Sequence, residues 1–544
     1  MINIENIDKE TLTVEYLIDV VKSQNQIIQD LNQILSEYKK EITDLKDEIL
    51  KLKKETVKPK IKPSKLNKDN NDDDDNDEDN DNDEDKKKRE STKDIPKKKK
   101  NIDIHDEKKI ELEEIPEDSE FIGYKEVVVQ DIEIKLKNTR YKLAKYETPD
   151  GKIITAKLPT NLKNGTFGPE LRTFILQEYH IKHVTQPLLL EQLQSLGIEI
   201  SSGQLSNIIT EKLDDFHEEK DEILKVALPN SDYIQTDDTG ARHDGNNGYC
   251  TQIGNEFFTW FSSTQSKSRV NFLELLSSGV EETLYTFNEI SYEYMTKQKL
   301  PQKLFNKLEE LKIEITDKKD FQKWLTENEI VTKTNIKIVT EAALIGGLIT
   351  QGIPVDLGVL SDGARQFNIF DHALCWIHAE RPINRLIPIT DENRKFVEEA
   401  RSDVWKLYQK LKDYKITPNE NLKRDINSDF DKFSTKITGY EALDKAIANF
   451  KNNKSDLLKV LEKPYLPLHN NLSERDIRDY VKKRKISGST RSEAGREARD
   501  TFASLKKTCK KLCISSYEYI RDRVFQNGEI EPLPELVLVK IRGG

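Results

Sequence analysis

Tyr233-Ile-Gln-Thr-Asp-Asp-Thr239 reads as a short apolar run that ends in paired carboxylates. Successive side chains of a strand point to opposite faces, so one of Asp237 and Asp238 enters a given site and the other points away. A second run, Gly358-Val-Leu-Ser-Asp-Gly363, has the same design: a strand-like stretch, then Asp362 in front of a glycine. The third acid sits in a helical pattern. In Asn470-Asn-Leu-Ser-Glu-Arg-Asp-Ile-Arg478, residues Asn470, Glu474 and Arg478 recur at i, i+4 and i+8 and share one helix face. A carboxylate beside arginines is commonly an ion pair, and an Asp at a strand end commonly opens a turn. Three acids gathered from separate segments are also what two divalent cations need for in-line chemistry at phosphate. Mg²⁺ prefers oxygen ligands, is held by few carboxylates and keeps positions open for phosphate and water.

Working outward, the pattern is α/β. Residues 247–251 and 256–261 flank Gly254-Asn255, a two-residue hairpin signal. A helix is expected from about Val270. Residues 281–345 are rich in Lys and Glu with a helical period (Leu304, Leu308, Leu311, Phe321, Trp324, Leu325) and read as an insertion. The run 355–360 then restores the sheet and presents Asp362.

Taken in order, Asp237-Asp-Thr239, Leu360-Ser-Asp362, Cys375-Trp-Ile-His378 with Arg381, and Asn470-Asn-x-x-Glu-Arg-x-x-Arg478 resemble the DDE transposases of the bacterial insertion sequence 66 family. Arg484-Lys485 and Tyr517-x-Tyr-Ile520 continue the likeness, which runs over residues 158–524. The resemblance implies an RNase H-like core, with a hairpin, a helix, a strand and a late acid-bearing helix in that order. It implies metal-dependent nicking at transposon ends, then attack of the freed 3′-hydroxyl on target DNA. The family's first motif is Asp-Glu-Thr. Its leading acid maps onto Asp237, with Asp238 in place of the Glu. Asp237, Asp362 and Glu474 are then the catalytic and metal-binding residues, for two Mg²⁺ ions with Mn²⁺ as an alternative. Cys375 and His378 match an element that scaffolds the site, and small accessory proteins of the same element become candidate partners. The family often carries a cysteine-ligated zinc module near the N-terminal side. No cysteine precedes Cys250, so that site is expected to be absent. Two rivals remain: another RNase H-like nuclease or integrase, and an inactive DNA-binding relic.

His372, Cys375 and His378 invite a zinc reading, but no fourth ligand accompanies them, and a structural zinc site takes four. No Gly-x-Ser-x-Gly elbow or P-loop is present, which leaves hydrolase and nucleotide-hydrolysing readings without support.

The net charge of −11 looks wrong for a DNA-binding chain until it is located. Residues 70–85 hold eleven Asp and Glu; without them the 98 acidic residues fall to the same number as the 87 Lys and Arg. Residues 470–511 hold 13 basic and 6 acidic side chains. Arg475 and Arg478 can grip phosphate bidentately, and Lys482, Arg484 and Lys485 extend the positive stretch. The four cysteines form no CxxC pair and are too few for a disulfide framework, which favours a reducing compartment. With no long apolar run and no signal-peptide pattern, a soluble, cytoplasmic, nucleoid-associated bacterial protein is expected.

Residues 17–52 carry an unbroken heptad: Leu17, Val21, Gln24, Ile28, Leu31, Leu35, Tyr38, Ile42, Leu45, Ile49 and Leu52. β-Branched residues at a and Leu at d favour a parallel two-stranded coil, hence a homodimer; a lone amphipathic helix packed on its own domain is the plainer alternative. The organisation expected is therefore a coiled-coil helix (1–55), a charged disordered linker (56–117) and a small β-rich module (118–160). A helical region (161–228) follows, where 187–209 suits either a DNA-reading helix-turn-helix or a helical hairpin bracing the core. The catalytic core (229–525) and a tail (526–544) complete the chain.

Overall fold

The computed structural model describes residues 28–29, 103–111, 119, 121–159, 162 and 166–543. The chain divides into two compact units, Met1–Glu133 and Ile134–Gly544. The heptad and most of the charged linker lie outside the described residues; within them, Ile28 and Gln29 are helical. In the first unit the described residues from 103 onward form no helix or strand, and Tyr124 donates its hydroxyl to Glu111 Oε1 at 2.6 Å. None of the helices among the described residues is long and apolar enough to cross a membrane.

The second unit contains the hairpin β1 (Lys145–Glu147) and β2 (Ile153–Thr155), turned at Pro149-Asp-Gly151 as the sequence suggests. This ribbon is all the strand structure found among the described residues of the segment read as β-rich. Its three-residue strands have no second layer to bury a face, and Tyr146, Ile153 and Ile154 stay exposed.

Three helices follow: α1 (Pro169–Leu176), α2 (Gln186–Ser195) and α3 (Ser202–Thr210). Gly197 takes the left-handed conformation that ends α2, and Ser201 starts α3 with a full capping box to Gln204. Their buried faces share a small core of Ile175, Leu189, Leu193, Ile200, Leu205 and Ile209. A long helix, α4 (Asp214–Asn230), leads into the sheet.

The sheet has five strands: β3 (Tyr233–Gly240), β4 (Tyr249–Gly254), β5 (Thr259–Thr264), β8 (Gly358–Ser361) and β9 (Asp371–Leu374). Their spatial order is β5-β4-β3-β8-β9; the first three run antiparallel, and β3, β8 and β9 run parallel. Ile234, Ile253, Trp260 and Val359 point to one face, into the main core with α5 (Arg269–Ser277). Cys250 and Phe261 point to the other, against Ile477 and Tyr480. The hairpin expected at Gly254-Asn255 is present, joining β4 to β5, but its turn is not the two-residue one expected. The β4–β5 turn spans four residues, closed by Asn255 N–H to the Phe258 carbonyl at 3.1 Å. Asn255 is buried there because its side chain binds Ser231 and the Phe257 N–H. The two-residue turn lies one connection earlier, at Asp244-Gly245, where both residues take positive φ and His243 and Asn246 exchange backbone hydrogen bonds.

Between α5 and β8 lies the stretch read as an insertion, 281–345, whose last helix runs on past that bound to Thr350. A two-residue ribbon, β6 (Tyr285–Thr286) with β7 (Glu314–Ile315), accompanies α6 (Glu289–Lys297), α7 (Gln302–Glu309), α8 (Lys318–Glu327) and α9 (Lys333–Thr350). After β9 the chain builds a second, all-helical lobe: α10 (Trp376–Asn384), α11 (Asp391–Ile416), α12 (Glu420–Ser434), α13 (Glu441–Asn452) and α14 (Lys454–Leu457). Its core includes Trp376, Val404, Leu411, Phe430 and Phe450.

Helices α15 (Asn471–Ser487) and α16 (Glu493–Lys511) close the sheet. Helix α16 lies along the edge strand. Thr508 Oγ1, Ser504 Oγ and Asp500 Oδ2 accept the backbone N–H groups of Thr259, Phe261 and Ser263 at 3.1, 2.8 and 2.7 Å. The match is geometric: four residues of helix rise about 6 Å, and two residues of strand about 6.6 Å.

Candidate active site

The register of β3 with β8 pairs Gln235 with Leu360. Asp362 follows directly on the end of β8, in the turn beside β3, and acts on Asp237 through space. Asp237 shares its face of the sheet with Thr239, which Arg484 of α15 reaches at 3.0 Å. Glu474 lies in the first turn of α15 and acts on Asp237 through space. Two of the acids picked from sequence, Asp362 and Glu474, are thus within electrostatic reach of the third, Asp237. The Asp237 carboxyl is pushed up to about 7, chiefly by burial; its own Asp238 N–H opposes this, and Asp362, Asp238 and Glu474 add to it.

Asp238 has other partners. Gln366 Nε2 donates to it at 2.5 Å, and Lys267 stands 3.7 Å away. Burial still raises its carboxyl above the ordinary range.

The turn carrying Asp362 is tightly specified. Asp362 Oδ1 accepts from Ala364 N at 2.9 Å, and Gly363 holds φ +96° where a Cβ would meet Leu374 Cδ1 at 2.6 Å. Beneath it, Ser361 Oγ binds His372 Nε2 at 2.9 Å, Gly363 N donates to the same hydroxyl, and His372 Nδ1 meets Asp456 Oδ2 at 2.8 Å. This Ser–His–Asp order matches a hydrolase triad. Ser361 is fully buried, so no substrate carbonyl reaches it, and the relay instead fixes the Asp362 turn.

Glu474 is held from α10. Arg381 Nη2 donates to Glu474 Oε1 at 3.1 Å, Arg381 Nη1 meets His378 Nε2 at 2.5 Å, and His378 stands 3.3 Å from the same carboxylate oxygen. The i, i+3 spacing of His378 and Arg381 was the sequence signal for this clamp. His378, Cys375 and His372 do not share a point: His372 is committed to Ser361 and Asp456, His378 to Arg381 and Glu474, and Cys375 is a buried thiol. Asp476, two residues from Glu474, is buried against Thr259 and Lys511 and is structural.

Among the described residues no three His, Cys, Asp or Glu side chains stand as a ready-made ligand set, and Glu474 is turned towards cations. The donor chemistry nonetheless fits a hard divalent ion. Asp362 and Glu474 both bear on the buried Asp237 carboxyl. Asn470, fully buried at the start of α15, has neither amide atom hydrogen-bonded, although the His378 ring lies beside it. All four side chains offer oxygen, the donor Mg²⁺ takes.

The five basic residues predicted to bind DNA separate. Arg475, Arg478, Lys482 and Lys485 are exposed and recur at three- and four-residue steps, so they line one face of α15. Arg484 is turned inward to Thr239 and the Gly240 carbonyl. Helix α3 carries no Lys or Arg.

An acid within β3, another just past β8, an acid-bearing helix and a basic ridge fit a DNA-processing protein, and the comparisons supply the class. The family model for the IS66 transposases matches residues 359–498, which include Asp362, His378, Arg381 and Glu474. An uncharacterized protein of Sinorhizobium fredii, y4jO, is 40% identical over 322 residues, covering 58% of this chain and all of that protein. The chain belongs to the IS66 family of transposases.

Proposed function

We propose that the chain nicks DNA at transposon ends in a metal-dependent reaction and joins the freed 3′-hydroxyl to target DNA. One observation carries the reading: Asp237, Asp362 and Glu474 share one electrostatic site, with Asp237 pushed up to about 7 by burial and by its acidic neighbours. The five-strand order, with β3 central and the acids within β3, just past β8 and on α15, supports an RNase H-like core. Two Mg²⁺ ions, or Mn²⁺ in their place, would be held by these three carboxylates and would activate the attacking oxygen and stabilise the leaving one. Asp237 and Asp362 hold the strand-side positions, Glu474 swings in from α15, and Arg381 with His378 sets the angle of that swing. The exposed face of α15 lies along the DNA backbone, and the hairpin of α2 and α3 reads the element end.

The heptad at 17–52 would pair two protomers so that two ends are held together, with small accessory proteins of the element as further partners. The reaction belongs in the bacterial cytoplasm, at the nucleoid.

Purified protein, labelled element ends and Mg²⁺, with and without Asp362→Asn, test the reading. Nicking with a 3′-hydroxyl product and end-specific joining are expected from the wild type alone. A wild type that cuts without end specificity points to a general nuclease. The clamp of Arg381 on Glu474 favours one rival, a chain that binds DNA without cutting it; binding with no metal-dependent cleavage would establish that.

A further inference from the structure

Where β3 leaves the acid site, its hairpin to β4 and the turn after α15 border an open cleft. Arg242, Arg496 and Arg499 line it, with the Thr490 and Ser263 hydroxyls and the Asn246 amide among the polar groups around them. Arg499 is the telling residue. It is only 8% exposed, its guanidinium donates one hydrogen bond, to the Gly488 carbonyl at 3.1 Å, and among the described residues no carboxylate stands within ion-pairing distance. The nearest buried acid, Asp500, spends its oxygens on Ser263 and Tyr480 instead. A buried cation without a counter-charge is costly, and an incoming anion offsets that cost. At the rim Arg242 donates to the Gly245 carbonyl at 2.8 Å, and Arg496 pairs with Glu493, which also stands 3.2 Å from His243. Glu493 thus serves Arg496 and His243 at the rim, and among the described residues no carboxylate pairs with Arg242 or Arg499.

The position of the cleft says what the anion is. Ala241, at the cleft, lies four residues beyond Asp237, about 13 Å along an extended strand. Helix α15 runs the same way, since Glu474 faces Asp237 and Arg484 reaches Gly240. Its exposed row from Arg475 to Lys485 covers about 15 Å. A DNA strand laid from the acids along that row arrives at the cleft. We infer that this cleft binds a phosphate of the DNA strand a few nucleotides from the one being cut, and so sets the register of cleavage. The inference rests on the DNA-processing reading above.

The test is binding, run in EDTA so that no chemistry intervenes. Fluorescence anisotropy with a 5′-hydroxyl duplex of arbitrary sequence, at several salt concentrations, compares wild type with the double variant Arg242→Ala, Arg496→Ala. Both side chains are at the rim, so folding is preserved; Arg499→Gln, checked by thermal melting, probes the floor. Arg394→Ala, Arg424→Ala in the helical lobe controls for loss of charge alone. The cleft variants should bind about tenfold more weakly, with a salt slope shallower by about one, as for one lost phosphate contact. Sensitivity only with a 5′-phosphorylated duplex would still support a phosphate site and assign it to the strand end. Wild-type binding with unchanged affinity and slope in the cleft variants would overturn this inference alone. A wild type that does not bind duplex at all would overturn both it and the DNA-processing reading.

Discussion

Arg381 Nη2 stands 3.1 Å from Glu474 Oε1, joining the last turn of α10 to the first turn of α15 across 93 residues of chain. With His378 it fixes where Glu474 can point. Arg381→Ala should therefore lower the nicking rate by about 10- to 100-fold and raise the Mg²⁺ concentration needed for half-maximal rate, in line with the loss of groups that orient metal ligands. Arg381→Lys should recover part of it. A Mg²⁺ titration of cleavage rate checks both; an unchanged half-saturation point would mean that Arg381 only braces the lobe.

The relay under Asp362 predicts a stability cost. His372→Ala removes the group that joins Ser361 to Asp456, leaving Ser361 with only the Gly363 N–H and Asp456 with only the Ser455 hydroxyl, and should cost about 1–3 kcal/mol. Urea unfolding followed by far-UV circular dichroism reads the shift in midpoint, and a variant as stable as the wild type would show that the relay is dispensable.

The basic ridge makes a sharper prediction than its sequence did. Lys482→Ala with Lys485→Ala should flatten the salt slope of duplex binding by up to about two. Arg484→Ala should leave the slope nearly unchanged, because its guanidinium serves the end of β3. Equal slopes for the two variants would contradict this division.

Lys483 supplies a pH dependence. It is buried, donates to the Tyr179 carbonyl at 2.7 Å, and is pushed down to about 7, first by burial and then by Arg499 and Lys506. The folded value lies below the unfolded one of about 10.4, so between the two the unfolded chain binds the extra proton. The penalty is full below pH 7 and relieved as pH rises, and this residue should add at most about 1.4 kcal/mol of stability per pH unit between 7 and 9. Lys483→Met should remove that rise; denaturation midpoints at pH 7, 8 and 9 measure it.

The parts of the fold legible in the sequence were those where local pattern and tertiary role coincide. Asp237 and Asp362 follow apolar runs that read as strands and are strands, and the helical pair read over 187–209 is present as α2 and α3. The i, i+4, i+8 spacing around Glu474 placed it on a helix. Other features depend on contacts that spacing does not encode. The row Val397, Ala400, Val404, Leu407, Leu411 and Tyr414 has helical period, yet nothing local says that it builds a separate lobe. Gly254-Asn255 looked like a tight turn because the buried partners of Asn255 come from elsewhere in the chain. Asp500, Ser504 and Thr508 read as a solvated helix face, since a polar side chain aimed at a strand edge has the same sequence signature as one aimed at water.

That edge has a consequence for how the chain is made. The residues of α16 that quiet β5 follow it by 237 to 249 positions. At ribosomal speeds of about 5–20 residues per second, β5 waits roughly 10 to 50 s for its cover. During that time its N–H groups are a template for any passing strand. Products that stop before residue 493 never acquire the cover, and should collect in the insoluble fraction even where every acid of the site is intact.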